Sequence, residues 1–274
     1  MRRIEASNSN ELLPFAPASM QNSPLFAPIP APQPEFRVAN SHLPNAHMEL
    51  ITAARGFKPE EGTVEWNTPL ASRWYASWLN PNVCRETGND VFKDQWVRGH
   101  RNAINAAAEK YNIPPVLLAG VAYVEVGGMP FWFDRATFDV RRHPIVQRIA
   151  PHVPSGYIQN QLTRQYDHTS FGHTSVQMAT AAEVLGYDFN NLTMAQRRAI
   201  AESLEDPAQS IFIAASYLSH LRNNAFPGVS AEDMTLDQIS ALASWYNVGP
   251  GDSSRANGNR ILARLDRLME LLED

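Results

Sequence analysis

Glu125 is the residue in this sequence best placed to do chemistry. It ends an apolar segment in which Leu118, Val121, Ala122 and Glu125 fall at i, i+3, i+4 and i+7, the spacing of one helix face. Pro114 and Pro115 supply a rigid first turn and Gly127-Gly128 a stop, so the spacing predicts a helix from Pro114 to about Val126. A carboxyl group on the face that meets the core loses hydration, which disfavours its charged form, and in the last turn the helix dipole also opposes an anion. Both effects raise its pKa. A carboxylic acid still protonated near neutral pH at the edge of a cleft suits general-acid cleavage of a glycosidic bond. The plain alternative is a Glu turned to solvent at a frayed helix end.

Other chemistries find little support. The single cysteine, Cys84, cannot form an intrachain bridge, and the eight histidines include no His-Glu-x-x-His pair or zinc spacing. His168 and His173 flank Ser170-Phe171-Gly172 without a carboxylate at ligand spacing, so neither reads as a metal ligand. No cofactor is implied. A net charge of −5 argues against general binding to nucleic acid or an anionic membrane, and no window of about 18 apolar residues is present to insert into a bilayer.

The elements that must position Glu125 read as helices. Leu70, Trp74 and Trp78 form one stripe, and Trp96, His100, Ile104, Ala107 and Ala108 another. Helical patterns return over 175–186, 194–205, 208–223, 236–247 and 258–272, and alternating strand patterns are lacking, so the fold class expected is all-α. Eight of the 20 prolines precede His47, which marks residues 1–45 as a Pro-rich, disordered tail. Residues 46–92 read as an N-terminal helical region and 93–274 as the catalytic domain. Within it, 127–169 is an irregular insertion rich in aromatics, with five Arg and three Asp, that suits a cleft wall.

Four segments carry a resemblance. Tyr111-Asn112-Ile113-Pro114-Pro115-Val116-Leu117-Leu118 leading to Glu125, Thr174-Ser175-Val176-Gln177 leading to Leu185-Gly186, Asp206-Pro207 through Tyr217-Leu218, and Ala243-Ser244-Trp245-Tyr246-Asn247-Val248-Gly249-Pro250-Gly251 stand in order along the chain. They resemble the soluble lytic transglycosylase and goose-type lysozyme family of peptidoglycan muramidases. The resemblance implies a lysozyme-like helical domain with Glu125 as acid/base, Gln177, Ser170 and Met178 lining the glycan cleft, and Tyr246 with Asn247 supporting the acid and the sugar. Asp134 and Asp139 follow Glu125 by 9 and 14 residues, which resembles the goose-type arrangement in which Asp residues hold the attacking water. Their alternative fate is an ion pair with Arg135, Arg141 or Arg142. The pattern departs from the family at Thr174-Ser175-Val176, where Gly-Leu-Met is usual, and at Val126, where Ser is usual.

The partner expected is therefore the peptidoglycan glycan strand. Residues after Met1-Arg2-Arg3 lack the apolar run of a secretory signal, so the expectation is a protein secreted or delivered to the periplasm or wall of a target cell, either as a mature form without its signal or through specialised machinery with the Pro-rich tail as loading element. An antibacterial effector of that kind calls for an inhibitor protein covering the cleft. The rival readings are a non-catalytic glycan-binding or scaffold protein and a chitinase- or chitosanase-like glycosidase.

Overall fold

The structure, a computed structural model, describes residues 43–60, 85–126, 138–141, 143–149, 169–250 and 255–273, all within one compact unit spanning Asn40–Asp274. The Pro-rich tail, the Leu70–Trp78 stripe, Asp134 and most of the aromatic insertion lie outside the described residues. The described chain is helical apart from one small hairpin, so it is all-α in class.

Its helices are α1 (Asn45–Ala54), α2 (Arg85–Gly99), α3 (Arg101–Tyr111), α4 (Pro115–Glu125), α5 (Pro144–Ile149), α6 (Met178–Val184), α7 (Met194–Glu205), α8 (Pro207–Ala225), α9 (Leu236–Val248), α10 (Ala256–Leu262) and α11 (Leu265–Leu272). Strands β1 (Ser170–Phe171) and β2 (Val176–Gln177) pair antiparallel, with Ser170 opposite Gln177 and Phe171 opposite Val176. α2 runs across residue 93, where the sequence reading starts the catalytic domain.

Local chemistry explains where the helices start. Thr193 and Thr235 each form a capping box, with Gln196 and Gln238 respectively, and Asp206 accepts from the Gln209 amide at 2.9 Å ahead of Pro207 at the first helical position. These bonds satisfy amides that have no partner inside the helix. α8 then forms the middle of the core. Ile211, Phe212, Ile213, Ala214, Ala215 and Leu218 are buried, and α1, α3, α4, α6, α7 and α9 all pack on it.

α4 is buried almost all round. Each residue from Leu117 to Tyr123 is buried, as befits a helix lacking a polar face and enclosed by α2, α3, α8, α9, α10 and α11. Close approach of α10 depends on small residues. A Cβ on Gly120 would lie 2.5 Å from Ile261, and one on Gly258 would lie 2.2 Å from the Ser240 carbonyl oxygen. Ser244 completes that contact, donating to the Ser240 carbonyl at 3.0 Å and accepting from the Gly258 amide at 3.1 Å. The α9 segment that ends in Tyr246 and Asn247 is thereby fixed against α10, and both helices contact α4.

Four sequence expectations need correction. The pattern read as a helix from 175 begins as strand β2, because Ser175 adopts a left-handed backbone (φ 51°) that a right-handed helix cannot contain. The pattern over 258–272 is two helices, parted at Ala263-Arg264. Trp96 and Ile104 share one buried stripe but belong to different helices, joined at His100. Finally, α4 ends on an extended Val126 (φ −62°, ψ 135°), whose amide bonds the Ala122 carbonyl at 2.7 Å, before the Gly127-Gly128 pair is reached.

Candidate active site

Glu125 is the last residue of α4 and is half-buried. The enclosed helix behind it delivers the carboxyl group to the boundary between core and solvent. Asn247, near the end of α9, donates its Nδ2–H to Glu125 Oε1 at 2.6 Å, and the Ser175 side chain also favours the charged form of this carboxyl group. Burial pushes the Glu125 pKa up. Asn247, Ser175, the Lys93 ammonium and the Arg260 guanidinium pull the other way without cancelling it. The result is a carboxylic acid that holds its proton above the ordinary range and has donors in place for the anion it forms on release.

Lys93 comes from α2 and is a residue the sequence reading missed. Its Nζ donates to the Val124 carbonyl at 3.2 Å and stands 5.4 Å from the Tyr123 ring centre. A cation there suits the carbonyl end of α4. Burial lowers its pKa to about 8, against the pull of Asp90 and Glu125. No spacing rule signals this, since Lys93 lies on another helix 32 positions before Glu125.

Beside this group opens a cavity of about 390 Å³, within the ~300–1,000 Å³ range of small-molecule clefts. Ser170, Gln177, Tyr246 and Asn247, all expected at the site, line it together, and Ser175, Thr180 and Tyr217 complete much of the wall. Ser170 and Gln177 face each other across the pair and meet the cavity. Phe171 is buried in the core, and the buried Val176 borders the cavity between Ser175 and Gln177. Tyr246 is buried, its hydroxyl donating to the Thr174 carbonyl at 2.8 Å and its ring 5.6 Å from that of Tyr217. Burial, with the Glu125 charge adding to it, raises the Tyr246 pKa well above the usual phenol value, so it stays a neutral donor.

Two expected residues stand elsewhere. Met178, expected in the cleft, is fully buried in the core, because Met178, Ala181, Ala182 and Leu185 make up the inward face of α6 and its end. Asp139 is exposed on the short helical segment 138–141 and does not line the cavity. That segment is nevertheless anchored beside the hairpin: Arg141 donates to Thr169 Oγ1 at 2.8 Å, and Phe138 meets Phe171 edge-on at 5.6 Å. The described part of the insertion thus braces β1 through a buried Arg and a buried Phe.

The chain matches no family model, no curated protein and no solved structure.

Proposed function

We propose that this chain is a peptidoglycan-cleaving muramidase with a lysozyme-like fold, acting on the β-1,4 bond between N-acetylmuramic acid and N-acetylglucosamine with Glu125 as general acid/base. The observation that carries the reading is the Glu125 carboxyl group: half-buried, raised in pKa by burial, and held by Asn247 at 2.6 Å beside an open cavity. The ordered resemblance of four segments to the lytic transglycosylase and goose-type lysozyme family supports it from the sequence side.

In this mechanism the protonated Glu125 gives its proton to the glycosidic oxygen as the C1–O bond breaks and positive charge gathers on the sugar. The amide of Asn247 stabilises the carboxylate left behind. Glu125 then takes a proton from the incoming nucleophile, which is water in a hydrolase and the muramyl 6-hydroxyl in a transglycosylase. Ser170 and Gln177 present a hydroxyl and an amide to the glycan from one face of the hairpin. As a secreted antibacterial effector, the protein would be countered by an inhibitor seated on this cavity. The test is digestion of purified sacculi followed by mass spectrometry of the released fragments. Reducing muramic ends mark hydrolysis and 1,6-anhydro ends transglycosylation, while intact sacculi would refute the proposal.

A further inference from the structure

Ser175 departs from ordinary backbone geometry. Only two residues other than glycine adopt a positive φ among the described residues, Asn112 and Ser175. Asn112 ends α3 as the left-handed cap, a role for which Asn is well suited, and its amide bonds Ala108 and Glu109. Ser175 has no such excuse. A serine in this conformation carries a steric cost, and such costs persist where surrounding structure imposes them, often at functional sites.

The surroundings of Ser175 do impose it. The turn between β1 and β2 is pinned along its length. Gly172 (φ 71°) lies so close to α7 that a Cβ would fall 1.8 Å from the Leu204 carbonyl oxygen. Thr174, fully buried, shares a 2.6 Å hydroxyl bond with the buried Ser210 on α8, and its carbonyl accepts from Tyr246 on α9 at 2.8 Å. The Ser175 amide closes the turn on the Gly172 carbonyl at 3.2 Å. Three helices thus hold a short turn whose next side chain lines the cavity together with Asn247, the residue bonded to Glu125.

We infer that Ser175 is a positioning residue for the acid, its hydroxyl and the Asn247 amide forming a two-donor clamp that orients the Glu125 carboxyl group and stabilises the carboxylate as the proton leaves. This rests on the proposed muramidase reading. Asn247 alone supplies one donor, and a carboxylate has two oxygens to satisfy. Because the anion exists only after proton transfer begins, a fixed donor aimed at it contributes more in the transition state than in the resting enzyme. The charged and titratable groups facing Glu125 are Lys93 from α2, Arg260 from α10 and Tyr246 from α9; none of these is changed by replacing Ser175.

Ser175→Gly is the informative variant, since glycine adopts the left-handed backbone without strain while the hydroxymethyl group is removed. On purified sacculi the expected result is a kcat about 10- to 100-fold lower with KM little changed, the loss that one hydrogen bond to a charged group supports. The hydroxyl holds the Glu125 pKa down. Removing it therefore moves the alkaline limb of the pH–rate profile to higher pH, which a merely structural role would not do. Ser175→Ala keeps the Cβ and removes the hydroxyl alone. Direct titration of the ¹³C-labelled Glu125 carboxyl by NMR, assigned by its loss in Glu125→Gln, reads the same shift without any activity. An upward shift in both variants supports the clamp; an unchanged Glu125 titration overturns it, even if kcat falls. Wild-type protein inert on sacculi would instead refute the muramidase reading, while the NMR titration still decides the role of Ser175.

Discussion

Replacing His47 with phenylalanine should make the fold less stable at neutral pH and less sensitive to acid. His47 on α1 is 1% exposed, with Nδ1 2.7 Å from the Tyr187 hydroxyl and Nε2 2.7 Å from Ser203 Oγ. Both partners are hydroxyls, so one ring nitrogen donates and the other accepts in the neutral tautomer. Burial lowers the His47 pKa from 6.5 to about 4. The sign follows directly. The unfolded chain takes up this proton near pH 6.5 and the folded chain holds off until about pH 4, so the stability is fully present above pH 6.5 and is lost as pH falls towards 4. A displacement of about 2.5 pH units at about 1.36 kcal/mol per unit corresponds to roughly 3 kcal/mol, of which about 2.5 kcal/mol is gone by pH 4.5. His47→Phe keeps a flat ring but strands two hydroxyls, costing about 2–4 kcal/mol at pH 7. Urea unfolding of both proteins at pH 7 and pH 4.5 tests this, because burial also lowers the His100 and His173 pKa values and those contributions are common to both. The wild type should lose about 2.5 kcal/mol more than the variant between the two pH values. Equal losses would refute the reasoning.

The other predictions concern the site and its support. Asn247→Ala removes the 2.6 Å bond to Glu125 and should lower kcat on sacculi about 10- to 100-fold with KM changed less than about twofold; full kcat would show that the amide does not assist the acid. Gly172→Ala forces a methyl group against the Leu204 carbonyl and a side chain into φ 71°, so it should cost at least about 3 kcal/mol in urea unfolding. A loss below about 1 kcal/mol would mean that the β1–β2 turn is not pinned as described.

The parts legible in the sequence were those written in local pattern. Glu125 stood out because its spacing from Leu118, Val121 and Ala122 placed an acid on an apolar face, and α4 lies where that spacing predicts. α7, with its Thr193–Gln196 box, and α8, with Asp206-Pro207, were equally open to reading. What stayed hidden depends on distant partners. His47 meets residues 140 and 156 positions away, and Lys93 reaches α4 from another helix. The helical pattern over 175–186 runs through the turn at Ser175, whose left-handed backbone comes with bonds to α8 and α9 that no local rule encodes. The resemblance implies a cleft position for Met178, but one step along a chain changing from strand to helix turns the side chain from cavity to core.

The measurement closest to the central claim compares wild type with Glu125→Gln on purified sacculi, with folding of the variant checked by its unfolding midpoint. Glutamine matches the carboxyl in shape but has no acidic proton to donate, so cleavage should fall by about 10²–10⁴-fold while the fold stays intact. A folded Glu125→Gln protein that cuts sacculi as fast as the wild type would contradict the account.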